Sequence, residues 1–269
     1  MRLFNSVNIR LEKLYLDCID VTGNCFIIYQ AKLEFCFIKV YYSEVIFSDT
    51  KGVKVVTTSL KKIREVLIND LLLFYNQFLQ IKGSWKRTDH SLPLFSFRDS
   101  MNHELIWNCH HPKALTEIVY EENTYDGYGY AETLSLTIIP WILAIEELRW
   151  GRFLSDDYTI IWIDWTGDFP QHKVFCNGIE YNDAVIEADR INFGNGVFSL
   201  LFVDITVIRK RKLTTIFSKM PLLKIIFNRQ ILNSTENKYK AKSILNLNKE
   251  ITAHGWSLFE IVTWEKQKH

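Results

Sequence analysis

The sequence predicts an all-β protein of two antiparallel barrel or sandwich domains, and three observations carry that prediction. Phe, Tyr and Trp make up 14% of the 269 residues and hydrophobic residues 48%; rings favour strands and line apolar pockets. Alternating or β-branched runs follow one another along most of the chain, bounded by Gly, Asn, Asp and Pro. Helix-like patterns are confined to residues 59–83 and 214–231. A chain of this length can bury one large β core or two smaller ones. We place the domains at 1–115 and 116–269, with a pocket near their interface.

The first domain opens with strands over 14–19, 25–33 and 36–47, the first two joined by a turn at Thr22-Gly23-Asn24. Asp49-Thr50-Lys51-Gly52 then turns into a β-branched run over 53–58. Residues 59–83 are open to two readings. Leu60, Ile63, Leu67, Leu71, Phe74 and Phe78 recur at helical spacing, whereas Asn69-Asp70 and Asn76-Gln77 would turn between short strands over 66–68, 71–75 and 78–82. The β-rich surroundings favour strands. Residues 85–97 read as a loop leading into a strand, 105–112 as a strand before a turn pinned by Pro112, and 113–120 as the next strand. A polar loop, Glu121-Glu122-Asn123-Thr124, precedes the central motif, and Pro140 breaks the connection that follows it.

In the second domain, 146–154 and 158–165 form a hairpin around Ser155-Asp156-Asp157. Asn177-Gly178, a type I′ signal, joins 173–176 to 179–181, and 185–193 is a further strand before the turn Gly194-Asn195-Gly196. Residues 197–208 are apolar on both faces, which implies a strand buried on both sides. Residues 214–231 suggest a short helix or irregular insertion broken at Pro221, and strands over 238–246 and 255–265 close the chain.

The stretch around which the chain is organised is Gly127-Tyr128-Gly129-Tyr130-Ala131-Glu132-Thr133-Leu134. As a strand it places Tyr128, Tyr130, Glu132 and Leu134 on one face and Gly127, Gly129, Ala131 and Thr133 on the other. The small face lets another layer approach the backbone; the aromatic face fills a cavity. If that face points inward, Glu132 is a partly desolvated acid among rings, and desolvation favours its protonated form. If it does not, Glu132 is a half-buried carboxylate paired with Arg149 or Arg152.

A second informative stretch gathers Trp107, Cys109, His110 and His111 ahead of Pro112. Trp107 shares a face with Leu105 and Cys109, as a pocket-lining ring would. Adjacent side chains on a strand point to opposite faces, so His110 and His111 do not readily hold one ion, and we expect no metal site. Nor is there a Gly-rich phosphate loop or a Ser/His/Asp arrangement, so no cofactor is expected. Lys+Arg 32 against Asp+Glu 31 gives a net charge of +1, which offers no global field to recruit nucleic acid. The five cysteines are odd in number and lack a CxxC pair, which suggests reduced thiols and a cytoplasmic protein. No apolar run has the length of a signal peptide or membrane span. Peripheral contact with a membrane stays open through the basic cluster at 208–212, otherwise a solvated turn.

Trp107 ahead of Pro112, Gly127-x-Gly129-Tyr130-x-Glu132, Leu148-Arg149-Trp150-Gly151-Arg152 and Gly255-x-x-x-x-Glu260 together resemble the carotenoid 1,2-hydratase superfamily, most closely from about residue 105 to 165. That resemblance implies a lipocalin-like double β-domain, in a fold group that includes cyclases and Diels–Alderases acting on polyene or terpenoid substrates. It also implies that Tyr130 matches the family's Tyr, Glu132 its acidic Asp and Trp107 its Trp. The sequence departs from the family in having the longer Glu, and in having Leu105 where the hydratases tend to have His; His110 or His111 would have to substitute from another angle.

The chemistry fits these residue types. Protonating an isolated alkene needs an acid held dry and aromatic faces to stabilise the cation. Glu132, Tyr130 and Trp107 are the catalytic candidates; Tyr128, Trp150, Arg152, Trp162, His110 and His111 are the substrate-binding candidates. Arg152, on the face of Trp150, either clamps a substrate carbonyl or pairs with Glu132 or Asp164. The expected partner is an apolar small molecule. The competing function is a lipocalin-like binder without catalysis, and the location of Glu132 discriminates: inward among rings for the enzyme, outward for the binder. Carbohydrate binding would rest on Asp164, Trp165 and Asp168 as exposed partners.

Overall fold

A computed structural model describes residues 9–62, 66–139, 143, 145–217 and 229–264. Ile63, Pro140, Pro221 and Glu265, used above, lie outside the described residues.

The chain divides into two units, Met1–Ile139 and Pro140–His269. The first contains β1 (Ile9–Asp20), β2 (Cys25–Phe35), β3 (Ile38–Asp49), β4 (Gly52–Ser59), β5 (Leu71–Asn76), β6 (Ile81–Arg87), β7 (Phe95–Arg98), β8 (Glu104–Tyr120) and β9 (Asn123–Leu136). They form one sheet in the order β4-β3-β2-β1-β9-β8-β6-β5, with β7 on β8. The second contains β10 (Ile145–Leu154), β11 (Thr159–Gly167), β12 (Gln171–Cys176), β13 (Ile179–Tyr181), β14 (Val185–Ile186), β15 (Arg190–Phe193), β16 (Phe198–Lys212), β17 (Thr235–Leu247) and β18 (Glu250–Thr263). Its order is β13-β12-β11-β10-β18-β17-β16-β15-β14. The plan is the same in both: three strands meander away from the first, and the last strand of the unit returns to pair with it. Two short helices, α1 (Thr214–Phe217) and α2 (Arg229–Asn233), flank undescribed residues. Among the described residues no helix is long and apolar enough to cross a membrane.

Period-two alternation builds the core of each unit. On β1, Leu14, Leu16 and Cys18 share one face and meet Phe26, Ile28, Val45, Trp85 and Ala131 in the interior of the first unit. In the second, Phe153, Ile160, Trp162, Phe202, Leu245 and Phe259 do the same. All five cysteines are free; Cys36 is exposed and the other four are buried.

Several expectations are corrected. The boundary falls after Ile139 instead of at 115/116, because Leu115 lies inside β8, and β8 pairs with β9, which in turn pairs with β1. A cut at 115 would sever that ladder. Residues 71–76 and 81–87 are strands, but 66–68 are not, and 77–80 form the turn between them. Pro112 does not end a strand at a turn: β8 runs through it, with register shifts on either side of His111. Proline cannot donate to a ladder, and a bulge accommodates it. Residues 185–193 form the small β14–β15 hairpin instead of one strand. β16 is not buried on both faces, since Val203 is 39% and Ile205 and Val207 are each 42% exposed; a register shift and a positive φ of 52° at Asp204 redirect its outer half.

The turn at Asn177-Gly178 has φ of 48° and 82°, as a type I′ hairpin requires. A Cβ at Gly178 would meet nothing within 4 Å, so Gly178→Ala is expected to cost only the conformational penalty. That is about 1 kcal/mol, read as a small drop in urea midpoint with unchanged m-value.

Candidate active site

β9 segregates its faces as its sequence requires. On the small side, the indole of Trp85 lies against Gly129 and donates through Nε1 to the Asp17 carbonyl at 2.7 Å. Ala131 joins the core on the same side. On the other side, Tyr130 is fully buried and Glu132 is 7% exposed.

Glu132 Oε2 accepts two hydrogen bonds. Tyr130 Oη donates at 2.7 Å, and Trp107 Nε1 donates from the neighbouring strand. The cross-strand register explains the second: Trp107 stands opposite Leu134 and Cys109 opposite Glu132, so Trp107 reaches diagonally to the carboxylate. Burial, with Cys109 and Glu132 beside it, pushes the Tyr130 phenol well above its usual range. Burial likewise pushes the Cys109 thiol well up. Both therefore stay protonated at neutral pH, and Tyr130 stays a donor.

The same face holds residues that sequence reasoning missed. On β1, Tyr15 Oη donates to Asp17 Oδ2 at 3.0 Å; on β3, Tyr42 Oη donates to Glu44 Oε1 at 2.6 Å. Asp17 and Glu44 are buried. Tyr15 stands opposite Glu132 and Asp17 opposite Tyr130, so two tyrosine–carboxylate pairs lie side by side in reversed order. The rings of Tyr15 and Tyr130 make an edge contact at 6.0 Å, Tyr29 meets Tyr15 at 5.2 Å, and Lys13 Nζ lies 4.7 Å from the Tyr29 ring. The missed signal is the repeat of the central motif's own alternation: Tyr15-x-Asp17, Tyr42-x-Glu44, Tyr130-x-Glu132.

The other predicted site residues are placed as follows. Tyr128 is on the face of Tyr130, under Lys113 Nζ at 4.6 Å. The two histidines do not approach from another angle to replace the family's His. His110 Nε2 bonds Thr133 Oγ1 at 2.8 Å and His111 Nε2 bonds the Asn69 carbonyl at 2.7 Å. The bulge is the reason, since the first register shift sets His111 opposite Ala131, on the reverse face from Glu132. Trp150 and Arg152 share a face of β10 in the second unit, where Arg152 is fully buried and Nη1 donates to the Trp256 carbonyl at 3.3 Å. Trp162 is in the packed interior of that unit, with Phe202 and Phe259 against its ring. Asp164 is bonded by His172 Nδ1 at 2.5 Å. Trp165 is buried, so it offers no exposed ring to a sugar.

The basic cluster at 208–212 is not a solvated turn either. It ends β16, where Arg209 and Arg211 reach Glu236 at 2.9 and 2.6 Å, Lys238 reaches Glu236 at 3.1 Å, and Lys238 also bonds Glu260. Burial alone would push the Glu236 carboxyl up; Lys238, Arg211 and Arg209 outweigh it and hold the carboxyl well below its usual range.

No family profile and no curated protein sequence matches the chain. Solved structures do. CghA superposes with a TM-score of 0.59 at 9% identity, over 97% of this chain and 90% of that one. A provisionally named AttH from Nitrosomonas europaea gives 0.54 at 9%, over 96% and 93%. Kievitone hydratase from Nectria haematococca gives 0.52 at 11%, over 96% and 89%. The chain has their fold. It is a lipocalin-like double-domain fold, shared across nearly the full length of each protein. At such identities the likeness speaks for architecture, and chemistry has to be argued from the site.

The two histidines make stability pH-dependent. Burial lowers His111, with Arg87 adding to it and the Asn69 carbonyl opposing; burial, then His111 and Arg87, lowers His110. Both folded values lie below the unfolded value of about 6.5. The unfolded chain therefore binds more protons between those values, so this contribution is fully present above about pH 6.5 and is lost as pH falls toward the folded values. The His110→Gln/His111→Gln double variant should accordingly lose less urea midpoint than wild type between about pH 7.5 and about pH 5.5. Equal losses in both proteins would show that these rings do not titrate with folding.

Proposed function

We propose that the protein is a cofactor-independent hydratase or cyclase in which Glu132 protonates a double bond of an apolar isoprenoid or polyene. The observation that carries this reading is the convergence of Tyr130 and Trp107 on one oxygen of a buried carboxyl group. Both donate to Oε2, so in the acid form the proton is on Oε1. Transfer breaks that O–H bond and forms a C–H bond at one alkene carbon, leaving a cation on its neighbour. As charge develops on the carboxylate, the phenol and indole bonds strengthen, which favours the transition state over the ground state. The rings of Tyr15, Tyr130 and Trp107 supply faces for the cation.

Two outcomes regenerate the acid. Water adds its oxygen to the cation and returns a proton to Glu132, a net hydration. Alternatively an internal double bond attacks the cation and the cyclised product loses a proton to Glu132, with no change in mass. The shared fold with a protein named as a hydratase supports the reading at the level of architecture. The test is product mass spectrometry with linear carotenoids and terpenoids: a product heavier by one water or of equal mass is expected. A panel bound but returned unchanged would leave the protein a binder.

A further inference from the structure

The reverse face of the first unit's sheet changes character along its length. On β1 this face runs Arg10 and Glu12, which reach the solvent, then the buried Leu14, Leu16 and Cys18; on β2 it runs Phe26 and Ile28, then Gln30 and Lys32. In the antiparallel register Leu14 faces Gln30 and Glu12 faces Lys32, so the polar positions gather at one end. The apolar end is filled by the core. A cavity of about 1010 Å³ lies at that polar end, floored by Leu14, with Val66 and Ile68 packed on the core beside it.

The lining is cationic. Arg10, Lys32, Lys39 and Lys62 line the cavity with Glu12 as a carboxylate. Lys32 is held by Glu12 at 3.6 Å and Glu34 at 3.1 Å, Lys39 by Glu34 at 3.0 Å, and Arg10 by Glu12 at 2.7 Å. Three cations, Arg10, Lys32 and Lys39, share two carboxylates, and Lys13 and Lys62 also line the cavity, in a chain whose net charge is only +1. Tyr41, Thr133 and Ser135 add hydroxyls to the lining.

We propose that this cavity is a second ligand site, distinct from the Glu132 site, and that it binds an amphipathic organic anion. The head, a single carboxylate or sulfate, sits among Lys32, Arg10 and Lys62, and the apolar body lies over Leu14, Val66 and Ile68. The lining takes Lys13, Ala31 and Leu134 from the face of β1, β2 and β9 that carries Glu132, but Glu12, Leu14, Lys32, Thr133 and Ser135 from the opposite one, and Glu132 itself does not line the cavity.

Isothermal titration calorimetry with sodium dodecanoate, below its micelle concentration, tests this on the full chain. One site per chain is expected, weakening with added salt. Dodecanol and dodecyltrimethylammonium should each bind at least about tenfold more weakly, since a charge-assisted hydrogen bond carries that much discrimination. Lys32→Met should weaken dodecanoate binding about tenfold. Lys62→Ala, an exposed change that leaves the fold intact, should also weaken it. Glu132→Gln should bind as wild type does. The proposal is overturned if wild type shows no saturable binding, if dodecanol binds equally well, or if both lysine variants bind like wild type. Sedimentation with anionic phospholipid vesicles in place of monomer binding would assign the basic rim to a membrane surface, and equally overturn it.

Discussion

Glu132→Gln is expected to abolish the water-adducted or equal-mass product, lowering its rate of formation by about 10²–10⁴-fold, the range for loss of a positioned general acid. The substitution is nearly isosteric, and the amide oxygen can still accept from Tyr130 and Trp107, whose bonds now meet on Oε2. The amide cannot release a proton to carbon. Near-UV circular dichroism should therefore match wild type while turnover disappears. Tyr130→Phe and Trp107→Phe each remove one donor to the developing carboxylate and should have smaller effects, roughly 10–10²-fold. A Glu132→Gln protein that forms product at the wild-type rate would remove Glu132 from the mechanism.

The second large effect is structural. Gly129→Val should prevent the first unit from folding, or destabilise it by roughly 3–5 kcal/mol, beyond the usual penalty for overpacking. A Cβ at Gly129 would overlap Thr116 Oγ1 and the Asp17 carbonyl oxygen and lie 2.7 Å from Trp85 Nε1. Two of these are the partners of a buried hydrogen bond, Trp85 to Asp17, so relief would break that bond and leave both groups unsatisfied. Trp85 is fully buried against Phe74 and has nowhere to retreat. The measurement is urea unfolding beside Gly178→Ala, which is expected to lose only about 1 kcal/mol. Comparable midpoints for the two variants would refute the close-packing account.

Glu132 and Gly129 lie three positions apart on β9, on opposite faces, and both were legible from local pattern. Alternation of side chains is a property of the strand itself, so the division of residues 127–134 into a small and an aromatic face follows directly from their order. The meeting of Glu132 with Tyr130 needs only a spacing of two on an extended chain. The all-β class was equally local, as was the type I′ turn at Asn177-Gly178.

Other features depended on partners far away in sequence. Trp162 and Trp150 look alike as alternating aromatic positions, yet only the sheet's curvature decided that Trp162 packs with Phe202 and Phe259 in the interior. From Leu71 on, the helical spacing was outweighed by pairing of β5 with β6 and of β6 with β8. Arg209 and Arg211 read as solvent-facing charges until Glu236, on the next strand, stood beside them.

The sequence by itself thus determined the strands, most of their turns, and which side chains share a face, because those depend on backbone geometry repeated every two residues. The tertiary structure alone decided which face is inside, where the first unit ends, and where His110 and His111 point. Burial, strand partnership and the β8 bulge are set by the register between distant strands, and a shift of one residue in that register reverses the side to which every following side chain points.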